Sequence, residues 1–239
     1  MATAEGMGSS FGVSSEQFVQ VVTQTIQTNA VPKAKLAETS RYPVVIFSPG
    51  FGATPKFYTR QLEELASHGY VVVAINPTYE APVLFPDGQV ITQSSVFNFS
   101  SANGETEQQV FNQAVEIRAE DINFVLNQLE RINTKDPQEL LTKRLDLDQI
   151  GIFGHSLGGD TAIEAMKRDR RLKAGINMDG GSYGSFFSSG NKDSLNCPLM
   201  VMSHDGADEA LQMFYQRLGA NAYRLMIEGL NTRHLWILD

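Results

Sequence analysis

From Tyr42 onward, short apolar runs alternate with stretches whose apolar residues recur at helical spacing. Tyr42-Pro43-Val44-Val45-Ile46-Phe47-Ser48 is too short and too β-branched for a helix and runs into Pro49-Gly50-Phe51-Gly52, which predicts a buried strand entering a turn. A helix is expected from about Lys56, with Tyr58, Leu62 and Leu65 on one face, closed by His68-Gly69. Tyr70 to Asn76 predicts a second strand whose β-branched residues fall on both faces, as in parallel strands covered on both sides. A long helix follows from about Gln109 to Ile132, with Val115, Ile122, Val125, Leu126 and Leu129 on its stripe, and Asp136-Pro137 breaks it. The alternation continues with a strand at Gln149–Phe153, a helix from Ser156 to about Lys167 and strands at Lys173–Met178 and Pro198–Ser203. A helix from about Ala207 to Leu218 and a strand at Ala222–Ile227 complete it. Near the start, Ser14 and Gln17 have capping-box spacing and Phe18, Val22 and Ile26 follow at intervals of four, which predicts a short amphipathic helix. Strand and helix in strict turn imply an α/β fold with a mostly parallel central sheet and helices on both faces.

One stretch breaks the alternation. Glu80 to Glu107 carries Pro82, Pro86, the turn signal Asp87-Gly88 and the polar run Ser100 to Thr106, and reads as an excursion over the surface. With no repeat and no composition shift, residues 1–239 are expected to form a single domain with that excursion at about 80–107. A hydrophobic share of 42% with 19% charged residues fits a globular chain and excludes disordered and fibrous classes. The net charge of −8 argues against nucleic acid, whose phosphates call for clustered Lys and Arg. No apolar run is long enough to span a bilayer, so the chain reads as soluble. Met1 to Gly12 lack the pattern of a secretory signal, but a removed leader leaves no trace, and the compartment stays open. Cys197 stands alone and is expected to be a buried, inert thiol.

The chemistry concentrates in Gly154-His155-Ser156-Leu157-Gly158, which matches G-x-S-x-G between an expected strand and helix. That turn needs small flanking residues, which Gly154, Gly158 and Gly159 supply. Ser156 is thus the candidate nucleophile, against the plainer reading of a packing or phosphate-binding turn. An acyl-transfer serine needs donors aimed at the developing oxyanion; the backbone N–H groups of Leu157 and, in the earlier turn, Phe51 are the candidates. Of four histidines, His68 closes a helix, His155 must point away from the hydroxyl, His204 follows a strand, and His234 follows the last strand. The order serine, acid, histidine favours His234 as base. For the acid, Asp179 on a strand-end turn and Asp205 or Asp208 after the next strand remain open, the later pair also suiting a helix N-terminus.

At these residues the sequence resembles the platelet-activating factor acetylhydrolase family of isoform II type, particularly its bacterial and fungal relatives. The resemblance runs from about Val31 to His234 through the segments 42–52, Leu65-Ala66-Ser67-His68-Gly69-Tyr70, Phe85-Pro86-Asp87-Gly88, 154–159 and Ile176-Asn177-Met178-Asp179-Gly180. It implies the α/β-hydrolase fold, with Ser156 as nucleophile, Asp179 as acid, His234 as base, and Phe51 and Leu157 forming the oxyanion hole. It also implies hydrolysis of short acyl esters, including those of phospholipids, on a small-molecule or lipid substrate and with no metal or other cofactor. The family has more chain at both ends, and Asp239 stands close after His234, so a form shortened at its termini is expected. Two other readings compete: a cutinase or polyester hydrolase, whose acid would follow the later strand, and a non-catalytic binding protein that keeps the fold without turnover.

Overall fold

Strand β1 (Tyr42–Ser48) alternates its side chains between two covered faces. Val44 and Ile46 join Ile150, Ile152, Leu199 and Val201 in the larger core, while Phe47 joins Phe153 and Met178 in a smaller one on the opposite face. Burying each such side chain contributes about 1.5–3 kcal/mol. The computed structural model describes residues 28–37, 41–91, 106–180, 183–188, 197–204 and 221–229, with Ser14, Glu16, Leu195, Phe214 and Leu218. The expected helices near Ser14–Ile26 and Ala207–Leu218 fall almost wholly outside these residues.

A 3-10 turn (Pro55–Tyr58) leads into helix α1 (Thr59–Ser67), whose Leu62 and Leu65 cover the smaller core, and the chain returns as β2 (Val71–Ala74). The excursion holds a two-stranded hairpin, β3 (Val83–Leu84) and β4 (Val90–Ile91), turned at Gly88, whose φ of 88° suits glycine. Helix α2 (Glu107–Thr134) starts at a capping box between Thr106 and Gln109. There follow β5 (Leu145–His155), α3 (Leu157–Arg168), β6 (Leu172–Met178), a short α4 (Ser185–Ser188), β7 (Leu199–His204) and β8 (Ala222–Ile227). The six long-range strands lie in the order β2-β1-β5-β6-β7-β8, all parallel. Among the described residues no helix is long and apolar enough to cross a membrane.

Three local expectations change. The second strand is only half-buried, because β2 forms an edge of the described sheet and pairs with β1 alone. β5 begins at Leu145, four residues before the expected start at Gln149: the Asn133 side chain pairs with both backbone groups of Leu145 (3.0 and 3.1 Å), and a register shift absorbs the polar residues between. Cys197 is half-buried rather than buried, though desolvation still pushes its thiol pKa up.

Candidate active site

Strand order reverses at β1, which has β2 on one side and β5 on the other, so the turns leaving β1 and β5 diverge around a crevice at the sheet's carboxyl edge. The two expected chemical turns meet there. Ser156, between β5 and α3, sits at φ 52°, ψ −126°, a conformation that a non-glycine residue holds at about 1–3 kcal/mol of strain. Its N–H donates to the Met178 carbonyl at 2.8 Å, and its own carbonyl accepts from Gly159 N–H at 2.8 Å. Helix α3 anchors the strain, since every residue from Leu157 to Met166 is buried. The glycines are obligatory here: a Cβ on Gly154 would enter the backbone of Gly158, and one on Gly158 would enter the carbonyls of Ser48 and Pro49. A Cβ on Gly50 would lie 3.6 Å from that of Ser156, so turn and elbow are in van der Waals contact.

Phe51 and Leu157 share one apolar cluster with Ala114, Val115, Phe111 and Tyr183. Phe51 meets Phe111 edge-on at 5.1 Å, and Phe111 meets Tyr183 at 4.7 Å, so three half-buried rings pack in succession beside Leu157. His155 points the other way. Its fully buried ring meets the Tyr58 hydroxyl at 3.0 Å through Nδ1, and that hydroxyl also accepts from Gly50 N–H at 3.3 Å. Desolvation pushes the Tyr58 pKa up to about 12, so the phenol stays protonated.

Asp179 leaves β6 with φ 58° and is fixed by its N–H donating to the Met202 carbonyl at 2.8 Å. The next residue is held through Gly180 N–H donating to Asn177 Oδ1 (2.7 Å), and Asn177 in turn donates to the buried Asp160 of α3 at 3.3 Å. The Asp179 carboxylate is 6% exposed; its Oδ1 lies 2.6 Å from His204 Nδ1 and 3.4 Å from His204 N–H. Its buried Oδ2 has no hydrogen-bond partner among the described residues. The structure therefore brings Ser156, Leu157 and the Gly50-Phe51 turn together and places Asp179 at the end of the neighbouring strand β6, while Asp205, Asp208 and His234 lie outside the described residues. No three His, Cys, Asp or Glu side chains converge as a metal site among the described residues.

Sequence reasoning missed two further features. His204 contacts Asp179, which its position at the end of β7 hinted at only weakly. Arg118 and Glu80 form an ion pair, each side chain 4% exposed, behind the Ser48-Pro49-Gly50 turn. The signal for Arg118 was present: it lies between Val115 and Ile122 on the buried stripe of α2, where a charge is costly unless paired.

A parallel sheet covered on both faces, with a strained serine between strand and helix at the switch point, is the α/β-hydrolase architecture. A family model for platelet-activating factor acetylhydrolase, isoform II, matches residues 4–206, and the chain belongs to that family. A platelet-activating factor acetylhydrolase from Canis lupus familiaris is 30% identical over 171 residues, covering 65% of this chain and 38% of its own. A protein named "Probable 1-alkyl-2-acetylglycerophosphocholine esterase" from Arthroderma benhamiae is 30% identical over 149 residues, covering 62% of this chain and 34% of its own. The solved structure of a ferulic acid esterase from Streptomyces cinnamoneus superposes with a TM-score of 0.68 at 33% identity, covering 84% of this chain and 54% of that one. The chain thus spans little more than a third of the length of these two curated relatives.

Proposed function

We propose that this chain is a serine carboxylic-ester hydrolase acting on short acyl esters, including those of phospholipids. The observation that carries the reading is the strained Ser156 packed against the Ser48–Gly50 turn, with Phe51 and Leu157 in one cluster beside it. In this mechanism Ser156 Oγ attacks the ester carbonyl carbon while the base, His234, takes its proton. The N–H groups of Phe51 and Leu157 stabilise the oxyanion of the tetrahedral intermediate. Its collapse expels the alcohol, which receives the proton from the base, and leaves an acyl-serine. Water, deprotonated by the same base, then attacks the acyl-serine and releases the carboxylic acid and free Ser156. Asp179 orients the base and balances its cation, and its Oδ2, unpartnered among the described residues, is the oxygen available to a further donor. The names of the relatives support an acetyl-bearing glycerophospholipid as a substrate, and the ring cluster of Phe51, Phe111 and Tyr183 suits a small acyl group.

The test is treatment with a fluorophosphonate and mapping of the adduct by mass spectrometry. Ser156 should be labelled stoichiometrically, and Ser156→Ala should lower kcat by about 10⁶. Labelling of another serine with Ser156 untouched overturns the assignment.

A second reading of the base rests on the 2.6 Å contact between Asp179 and His204 Nδ1, which would make His204 the proton acceptor. Against it, Ser156 Oγ makes no hydrogen bond to His204 among the described residues. Comparing His204→Ala with His234→Ala separates them: under the first reading only the change at His234 abolishes turnover.

A further inference from the structure

Arg118 spends every donor it has on two targets. A guanidinium carries five N–H groups in a rigid planar fork. Nε donates to Glu80 Oε1 at 2.8 Å and Nη2 to Glu80 Oε2. Nη1 donates to the Pro49 carbonyl at 2.6 Å and to Ser48 Oγ at 3.4 Å, and Nη2 also reaches the Gly50 carbonyl at 3.5 Å. One carboxylate from the loop after β2 therefore clamps the fork, and the other three donors grip the turn that follows β1.

The peptide geometry of that turn gives the grip a direction. The chain has no cis peptide bond among its described residues, and in a trans peptide the C=O and the following N–H point to opposite sides. The Pro49–Gly50 peptide is held at both ends, its carbonyl by Arg118 and its N–H by the Tyr58 hydroxyl at 3.3 Å. In the Gly50–Phe51 peptide, the carbonyl faces Arg118 and also accepts from Ala53 N–H at 3.1 Å, so the Phe51 N–H is turned the other way. We infer that Arg118, clamped by Glu80, is a positioning residue that orients the Phe51 N–H toward the oxyanion and polarises the peptide that carries it. The inference rests on the hydrolase reading and on Phe51 as an oxyanion donor. Packing alone does not call for this arrangement: a buried ion pair gives little net stability over an apolar pair of equal volume. Lysine could not replace it, because one ammonium cannot serve the carboxylate and the turn in the same plane.

The experiment compares the parent chain with Arg118→Met/Glu80→Gln, which removes both charges together and leaves no orphaned carboxylate, and with Arg118→Lys, which keeps the charge. Each is assayed with p-nitrophenyl butyrate for kcat and KM, titrated with a butyl trifluoromethyl ketone as a mimic of the tetrahedral adduct, and checked for folding by circular dichroism and Tm. Loss of a whole oxyanion donor lowers kcat by about 10²–10³, so misalignment of one donor should lower it roughly 10- to 100-fold. KM should stay within about twofold, and ketone affinity should fall in step with kcat/KM. A folded double variant with parental kcat, or one in which only KM changes, overturns the inference. If the double variant does not fold, Arg118→Lys decides alone, and parental kcat there overturns it equally. A parent chain with neither turnover nor fluorophosphonate labelling at Ser156 instead removes the hydrolase reading, and the positioning role with it.

Discussion

Asp179 faces two ways at once. Its Oδ1 is occupied by His204, while Oδ2 is buried and unpartnered among the described residues, and a buried carboxylate oxygen left without a donor is costly. An acid that must hold an imidazole needs such an oxygen free. On this ground Asp179→Asn should lower kcat by about 10⁴ in folded protein, whereas Asp205→Asn and Asp208→Asn should leave it near the parent value. Steady-state kinetics on the three variants checks this; an active Asp179→Asn beside a crippled later variant would transfer the acid to the segment after β7, as in the cutinase reading. The elbow glycines illustrate the opposite case, where backbone atoms rather than a partner's charge set the residue.

Helices α2 and α3 carry the site from behind. The capping box that opens α2 is exposed, so its contribution can be measured without disturbing the core: Thr106→Ala should destabilise the protein by about 1 kcal/mol in urea unfolding, with activity unchanged. At the far end of α3, Asp169 accepts from the Arg171 side chain and from Asn123 at 2.9 Å, and chiefly the Arg171 bond holds its pKa below the ordinary 3.8. A depressed carboxyl contributes stability above its unfolded value and loses it as pH falls through its folded value. The Tm difference between parent and Asp169→Asn should therefore be present at neutral pH and shrink as the pH is taken well below 3.8. A difference that persisted in acid would show that shape, not charge, holds that corner.

At the scale of the molecule, the proposed hydrolase should favour small acyl groups. The rings of Phe51, Phe111 and Tyr183 cluster with Leu157 beside the proposed nucleophile, while Phe97 and Phe99 lie outside the described residues. Values of kcat/KM for acetyl, butyryl, octanoyl and palmitoyl esters should fall with acyl length, and a chelator should change none of them. A triad with an oxyanion hole already supplies nucleophile activation and charge stabilisation, which leaves no step for a Lewis acid. A maximum at palmitoyl, or abolition of turnover by the chelator, would contradict the proposal.

What the sequence determined by itself was local and backbone-bound. Parallel strands buried on both faces must be written as apolar runs, so β1 and β7 were legible, and a strained strand-to-helix turn tolerates only glycines around its serine, so the elbow was too. The start of β5 was not, because Leu145 owes its strand geometry to the Asn133 side chain from the end of α2 rather than to its polar neighbours. Nor could a pattern show that Arg118 would find Glu80, 38 positions away, and the Ser48–Gly50 turn, some 70 positions away. Spacing along the chain encodes backbone conformation and burial; the choice of partner for a buried charge depends on which elements the fold brings together. The same convergence gave Asp179 its neighbour His204, and only tertiary structure could decide it.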